Sequence, residues 1–416
     1  MSHGVNVAQA LKSATIWWRV NGTDGNVGLV DALYEELASR RIVTMDEYFG
    51  MATGIYSADE LLIGGTKETR KNPSRGSELC AVVKLMWSYS TLFSAFGDVA
   101  FLDRTNRIAY NALPATFVSR RGGDMWNHQY LQANNEITAE RQYVHVWHIN
   151  NNQDLEVYGV APNIGCCTAK FNQGWPKLAA FSLFFLKYRG VPAVGVFVPA
   201  SAVLEDGLHI IMDTSYPYSH SVKVTLVPPS GTPWKGLYIC IPSWAMHATV
   251  TMNGAPQPGH TANGTMHLVL PPSSTSVLLV VELDLNPAVR LEEWYPGFIS
   301  VHRGNLMYSL PITTTITSTK KYQYPESQYL EDQPASEWRF ALDVPGREDD
   351  LYLLFVQDHP LGAGEAPFNH SGWPVYIEAP VQEVSSNVWG YVQWENHGSA
   401  APPPGDDPCM GIGGDA

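Results

Sequence analysis

The sequence predicts a multidomain chain, helical first and β-rich afterwards, and three observations carry that expectation. Up to about Arg189 the apolar residues recur at helical spacing. After Gly190 short β-branched and aromatic runs take over, split by Pro, Gly and Asn. Hydrophobic residues make up 45% of the 416, enough for more than one core. The resulting boundaries are 1–189 for a helical domain, 190–288 for a β-sandwich, and 289–398 for a second β-rich domain. A Pro/Gly-rich tail, 399–416, is expected to be disordered.

The elements follow in order. Val5 to Val20 carries helical spacing and stops at Asn21-Gly22. Val27 to Arg41 places Leu29, Val30, Leu33 and Leu37 on one stripe. Leu79 to Phe96 is apolar nearly all round, as a helix packed on several sides would be, and stops at Gly97-Asp98. Phe101 to Leu113 reads as a further helix before Pro114. Trp175-Pro176 opens a last one that runs to Gly190. Strands are expected at 194–198, 209–212, 222–226, 237–241, 248–252, 266–270 and 276–283. A second β-rich group is expected at 298–302, 306–310, 338–342, 351–355 and 375–377.

Charge narrows the partners. Asp and Glu outnumber Lys and Arg, and the net charge of −14 disfavours nucleic acid and anionic membrane surfaces. Abundant Trp, Tyr and Phe with sparse charge suit a neutral substrate such as carbohydrate. No stretch reads as apolar enough to span a membrane, and the N-terminus shows no signal-peptide pattern. Localisation stays open, with a longer secreted form as one expectation. Five cysteines are too few for a disulfide scaffold, and Cys240 sits in a strand-like apolar run that predicts a buried thiol.

Three of those cysteines lie in two short motifs. One is Glu78-Leu79-Cys80 and the other is Cys166-Cys167. One carboxylate and three thiolates form a complete tetrahedral ligand set for Zn2+. Deep inside a helix, Glu78 and Cys80 would point to nearly opposite faces. They can share an ion at a helix entrance, for which Ser77 is a plausible cap. Cys166 and Cys167 need a tight bend, which Pro162 and Gly165 make believable. Buried apolar thiols are the alternative reading, since neither spacing is that of a zinc finger.

At these residues the chain resembles glycoside hydrolase family 127, the β-L-arabinofuranosidase-like family. The resemblance covers most of the chain. It rests on Tyr56–Glu60, Gly76–Val83, Arg107–Ala115, Asp124–Tyr130, Gly165–Ala169 with Phe171–Pro176, Ile241–Ala245 and His302–Gly304. It implies an (α/α)6 toroid followed by β-sandwich domains. It implies a zinc-dependent retaining glycoside hydrolase that releases a non-reducing-end β-L-arabinofuranose or a related sugar. The family's zinc ligands carry over to Glu78, Cys80, Cys166 and Cys167, with Cys166 as nucleophile. Its general acid/base resembles Glu60, and its substrate contacts resemble His3, His128 and Tyr130.

Without the resemblance, Glu60 would read as an exposed loop carboxylate. His3 would read as a solvated terminal residue, and His128 and Tyr130 as wall residues. Only about half of a toroid's helices are legible, so the chain resembles an N-terminally truncated member. An incomplete toroid is expected to expose an apolar flank and favour self-association. The competing expectation is a catalytically impaired relative that keeps zinc as a staple and binds carbohydrate or a partner.

Overall fold

The computed structural model describes residues 3–20, 32, 77–116, 131–132, 158–159, 165–182, 186–188, 191–229, 236–257, 263–269, 279–295, 298–320, 328–343, 355–358 and 373–384. Helices come first and sheets follow, as the change of pattern near residue 190 predicts. The helix expected over 27–41 and the tail from 399 lie outside the described residues.

The first expected helix is two: α1 (Gly4–Ala10) and α2 (Ser13–Val20). Leu11 and Lys12 form the turn between them, and both are buried. The turn carries Lys12 inward, where its Nζ donates to the Gln9 carbonyl at 3.1 Å and contacts Ser88 Oγ at 3.4 Å. A two-residue strand, β1 (Ser77–Glu78), pairs with β2 (Leu131–Gln132) and leads directly into α3 (Leu79–Phe96). The residues of α3 match the expectation. Its cap does not: Glu78 rather than Ser77 occupies the N-cap, in extended conformation. At the other end Gly97 takes a left-handed φ of 71°, and its N–H closes the last turn on Phe93 O at 2.7 Å.

By length and composition α3 could cross a membrane, which corrects the expectation that no stretch is apolar enough. Its 18-residue window is 78% buried, because α1 and the later helices Val99–Tyr110, Gly165–Phe171 and Gly174–Ser182 pack around it. This apolarity is that of a core helix enclosed by neighbours.

Helix α4 (Val99–Tyr110) starts earlier than expected, because Asp98 caps it by accepting from Ala100 N at 2.8 Å. It ends earlier too, because Asn111 leaves helical geometry and its side chain bonds elsewhere. Helices α5 (Gly165–Phe171) and α6 (Gly174–Ser182) complete the described helical part. The sequence ran α6 on to Gly190. Instead, β3 (Leu186–Tyr188) pairs antiparallel with β4 (Val191–Val194), so ladder bonds replace the expected helix.

Eight more strands follow. These are β5 (Ala200–Val203), β6 (His209–Thr214), β7 (Ser221–Val227), β8 (Leu237–Ile241), β9 (Ala245–Met252), β10 (Ala255–Pro256), β11 (Thr265–Val269) and β12 (Leu279–Pro287). They form a six-stranded sheet, β10-β9-β12-β7-β6-β5, and a four-stranded sheet, β11-β8-β4-β3. Strand β7 shows the period of two that builds them. Val222, Val224 and Leu226 are buried, while Ser221, Lys223 and Val227 face solvent. Both sheets and the helices feed one continuous core. The Asn253-Gly254 turn joins β9 to β10 with φ of 51° and 78°, the tight hairpin geometry that an Asn-Gly pair favours.

The second β region opens with a three-stranded sheet: β13 (Val289–Tyr295), β14 (Phe298–Arg303) and β15 (Leu306–Tyr308). Three two-stranded pairs follow. They are β16 (Thr314–Lys320) with β17 (Gln328–Pro334), β18 (Phe340–Leu342) with β21 (Val381–Glu383), and β19 (Phe355–Asp358) with β20 (Val375–Glu378). Besides β3, the expected strands omit β1, β2, β5, β10, β13, β16, β17 and β21.

Helix α4 joins the helices to the sheets. Tyr110 OH donates to Phe197 O at 2.8 Å, and Asn106 Nδ2 donates to Gly195 O at 3.4 Å. Asn111 bonds both ways: Nδ2 donates to Asn305 O and Oδ1 accepts from Met307 N, each at 2.8 Å. Ser243 N donates to Asp103 Oδ2 at 3.1 Å. Arg107 pairs with Glu292 at 2.7 Å. Gly304 allows the close approach here, because its φ is 60° and a Cβ would sit 2.8 Å from His220 Nε2.

Candidate metal centre

Two helix starts build the candidate site. Glu78 is the N-cap of α3, with φ −79° and ψ 131°, and Cys80 stands two residues further on. The extended N-cap turns the Glu78 side chain onto the same side as Cys80, as a regular helix would not. Cys166 and Cys167 lie in the first turn of α5, so a helix start takes the place of the expected free bend. Helix α5 packs against α3 and brings the two motifs together.

The result is one carboxylate and three thiols whose ligand atoms all lie within 4.8 Å of one another. Cys80 Sγ and Cys167 Sγ are 3.3 Å apart, and Cys166 Sγ and Cys167 Sγ are 4.0 Å apart. Thiolates on a tetrahedral zinc, with Zn–S of about 2.3 Å, stand about 3.8 Å from one another. The observed spacings bracket that value, and the donor set of three soft sulfurs and one oxygen suits Zn2+. Glu78, Cys80 and Cys167 are buried, and Cys166 is exposed.

The thiols do not share charge equally. Hydrogen bonds with the Cys167 and Cys80 thiols, aided by the backbone N–H groups of Cys167 and Cys166, pull Cys166 down to about 3 against the effect of burial. The hydrogen bond with Cys166 pushes Cys80 up, and burial pushes Cys167 up. Negative charge therefore collects on the one sulfur that solvent reaches. The N-terminus of the long helix α3 adds favourable potential for it.

The other expected site residues divide. His3 is described: its Nδ1 accepts from Asn6 N at 3.3 Å and caps α1. Glu60, His128 and Tyr130 lie outside the described residues. Cys240 is fully buried in β8, as expected.

Sequence reasoning missed a group of lysines next to the thiols. Lys84 stands four residues after Cys80 on α3, and Lys170 four after Cys166 on α5. Lys12 and Lys177 join Lys84 around the Trp87 ring, and Lys170 neighbours Lys84. The Lys12, Lys84 and Lys177 amines lie 4.3, 5.1 and 4.2 Å from its centre. The two four-residue spacings were visible in sequence, but nothing there ties in Lys12 or Lys177.

Comparison with known proteins bears on the family. Residues 193–271, from β4 to just past β11, match the family model described as "Beta-L-arabinofuranosidase, GH127 middle domain". Over those residues the chain is similar to the middle domain of glycoside hydrolase family 127. Among solved structures, the chain is similar to a GH127 β-L-arabinofuranosidase from Geobacillus stearothermophilus T6. The identity is 15% and the TM-score 0.50, over 95% of this chain and 57% of that one. It is also similar to a GH127 β-arabinofuranosidase at 14% identity and a TM-score of 0.51, over 83% of this chain and 55% of that one. At such identities the likeness concerns the fold, helices followed by sheets. The chain spans a little over half the length of these solved relatives. No curated protein matches it in sequence.

Proposed function

We propose that this chain provides the catalytic centre of a zinc-dependent retaining glycoside hydrolase with Cys166 as nucleophile. Its substrate is a non-reducing-end β-L-arabinofuranose or a related sugar. One observation carries the reading: Glu78, Cys80, Cys166 and Cys167 converge, and only Cys166 is exposed. Glu78, Cys80, Cys166 and Cys167 would hold the ion. When bound, Zn2+ supplies positive charge that offsets the carboxylate and keeps the thiols ionised at neutral pH.

The reaction then belongs to the side chains. Cys166 Sγ attacks the anomeric carbon, and a C–S bond forms as the glycosidic C–O bond breaks. Glu60, protonated at first, gives its proton to the departing oxygen. In the second half Glu60 takes a proton from water as the water oxygen bonds to the anomeric carbon. The C–S bond breaks, the thiolate returns, and two displacements leave the anomeric configuration retained. Burial of Cys80 and Cys167 leaves Cys166 as the sulfur that a sugar can reach. His3, His128 and Tyr130 are proposed substrate contacts. In the architecture that accompanies this reading, 1–189 forms part of an (α/α)6 toroid, with β-sandwich domains at 190–288 and 289–398.

A second reading is a catalytically impaired relative in which zinc is a structural staple and carbohydrate or a partner is bound without turnover.

Hydrolysis of an aryl β-L-arabinofuranoside under reducing conditions separates the two. The first reading expects turnover that Cys166→Ser lowers at least ~1,000-fold, with Cys240→Ser unaffected, and a sugar adduct on Cys166 by mass spectrometry. Bound zinc with neither turnover nor adduct would leave the second reading standing.

A further inference from the structure

We propose that Lys12, Lys84 and Lys177, gathered about Trp87, and Lys170 beside Lys84 form a binding site for one small tetrahedral oxyanion, a phosphate or sulfate group. The site is separate from the thiol cluster and independent of the glycosidase reading.

Four elements converge to build it. Lys12 comes from the turn between α1 and α2, Lys84 from α3, Lys170 from α5 and Lys177 from α6. Lys12 is 4% exposed and Lys84 8% exposed, so neither amine is a solvated surface charge. Among the described residues, no carboxylate pairs with any of the four. The partners of Lys12 and Lys177 are neutral: Gln9 O and Ser88 Oγ for Lys12, and Gln173 Oε1 at 2.9 Å for Lys177.

Buried charges in folded proteins are paired, and this cluster holds like charges in an acidic chain. The Trp87 ring offsets part of the repulsion through its π face, with amines 4.2–5.1 Å from its centre. It cannot supply a negative charge. Burial and the neighbouring lysines together pull Lys12 down to about 8. Burial and the Lys170 amine do the same to Lys84. These shifts express the crowding of like charges in a buried place.

The chemistry of the missing group follows from number and space. Several N–H donors meeting from four elements suit a ligand that accepts on several oxygens and carries more than one charge. The low exposure of Lys12 and Lys84 suits a small ion and excludes a polyanionic strand. Lys84 lies four residues along α3 from Cys80, about 6 Å in helical rise, so the anion would sit one turn from the thiols. The group could arrive as the free ion or as an ester on a sugar.

Calorimetric titration of the full chain with inorganic phosphate, sulfate and sodium chloride at matched ionic strength tests the site. The expected result is saturable one-site binding of phosphate or sulfate, none for chloride, and at least ~10-fold weaker binding in Lys84→Met. Lys84→Met should also raise the thermal midpoint in phosphate-free, low-salt buffer, because it relieves repulsion. A structural lysine would lower it. Lys177→Met, at a less buried position, repeats both measurements should Lys84→Met fail to fold. A sugar phosphate that binds more tightly than inorganic phosphate identifies an ester; equal affinity identifies the free ion. Identical responses to phosphate and chloride at equal ionic strength would overturn the proposal. Unchanged phosphate binding in both variants would overturn it too.

Discussion

The interior of the helical part and the junction where α4 meets the sheets handle charge in opposite ways. At the junction Arg107, Arg290 and Glu292 pair with one another. Arg107 reaches Glu292 at 2.7 Å, and Arg290 reaches the same carboxylate at 3.6 Å. Burial alone would raise Glu292, but the charge and hydrogen bond of Arg107, with Arg290 beside it, pull it down to about 2. His302 Nε2 stands 3.3 Å from Arg107 Nη2 and 2.8 Å from Ser300 Oγ. Burial and the Arg107 charge hold its ring neutral, down to about 3. Its 3.8 Å approach to Glu292 is therefore not an ion pair. Around α3 the reverse holds. Three thiols and a carboxylate crowd at one end, and four lysines crowd one turn away, with no carboxylate paired to those lysines among the described residues. Matched charge marks the part of the molecule that holds it together. Unmatched charge of one sign marks the part built to receive something else.

That contrast can be broken first at the junction. Glu292→Gln would leave Arg107 and Arg290 facing each other without their shared anion. Removing one partner of a fully buried pair costs about 3–5 kcal/mol. With about a fifth of the Glu292 side chain exposed, about 2–3 kcal/mol is expected by urea denaturation, with no change in metal content. A loss below about 0.5 kcal/mol would mean that the pair is ornamental.

A smaller effect follows from pH. His302 is held down to about 3 and His220 to about 4, the latter by burial and then Arg303. In the unfolded chain both take protons near pH 6.5, so stability falls as pH drops below that value. Asp103 opposes them. Burial raises it to about 6, so between pH 6 and about 4 the folded state takes a proton that the unfolded state does not. Two histidines outweigh one carboxylate, and net destabilisation on acidification is expected. His302→Gln should reduce the slope by up to ~1.4 kcal/mol per pH unit between about pH 6 and 4. An unchanged slope in chemical denaturation across that range would contradict the neutral, buried ring.

The sequence carried the broad architecture because period and composition change together near residue 190. It carried α3 residue for residue, since an unbroken apolar run ending at Gly97 has one reading. It overran α6, because nothing local to Leu186–Tyr188 shows that β4 lies waiting to pair. The four ligand residues were legible as residue types, but their geometry was not. That Glu78 is an extended N-cap, and that Cys166 and Cys167 open a helix, depends on how α3 and α5 pack. The lysines show the limit most clearly. They come from four elements, and no spacing in a linear chain links Lys12 to Lys177. Asn111 is a similar case, since its partners Asn305 and Met307 lie nearly two hundred residues away.

The central claim is that two motifs 87 residues apart meet on one divalent ion. X-ray absorption at the zinc edge of the purified chain tests it most directly. The account predicts one zinc per chain, with three sulfurs at about 2.3 Å and one oxygen at about 2.0–2.2 Å, and one sulfur fewer in Cys80→Ser. Zinc bound without sulfur, or a spectrum that Cys80→Ser and Cys167→Ser leave unchanged, would contradict it.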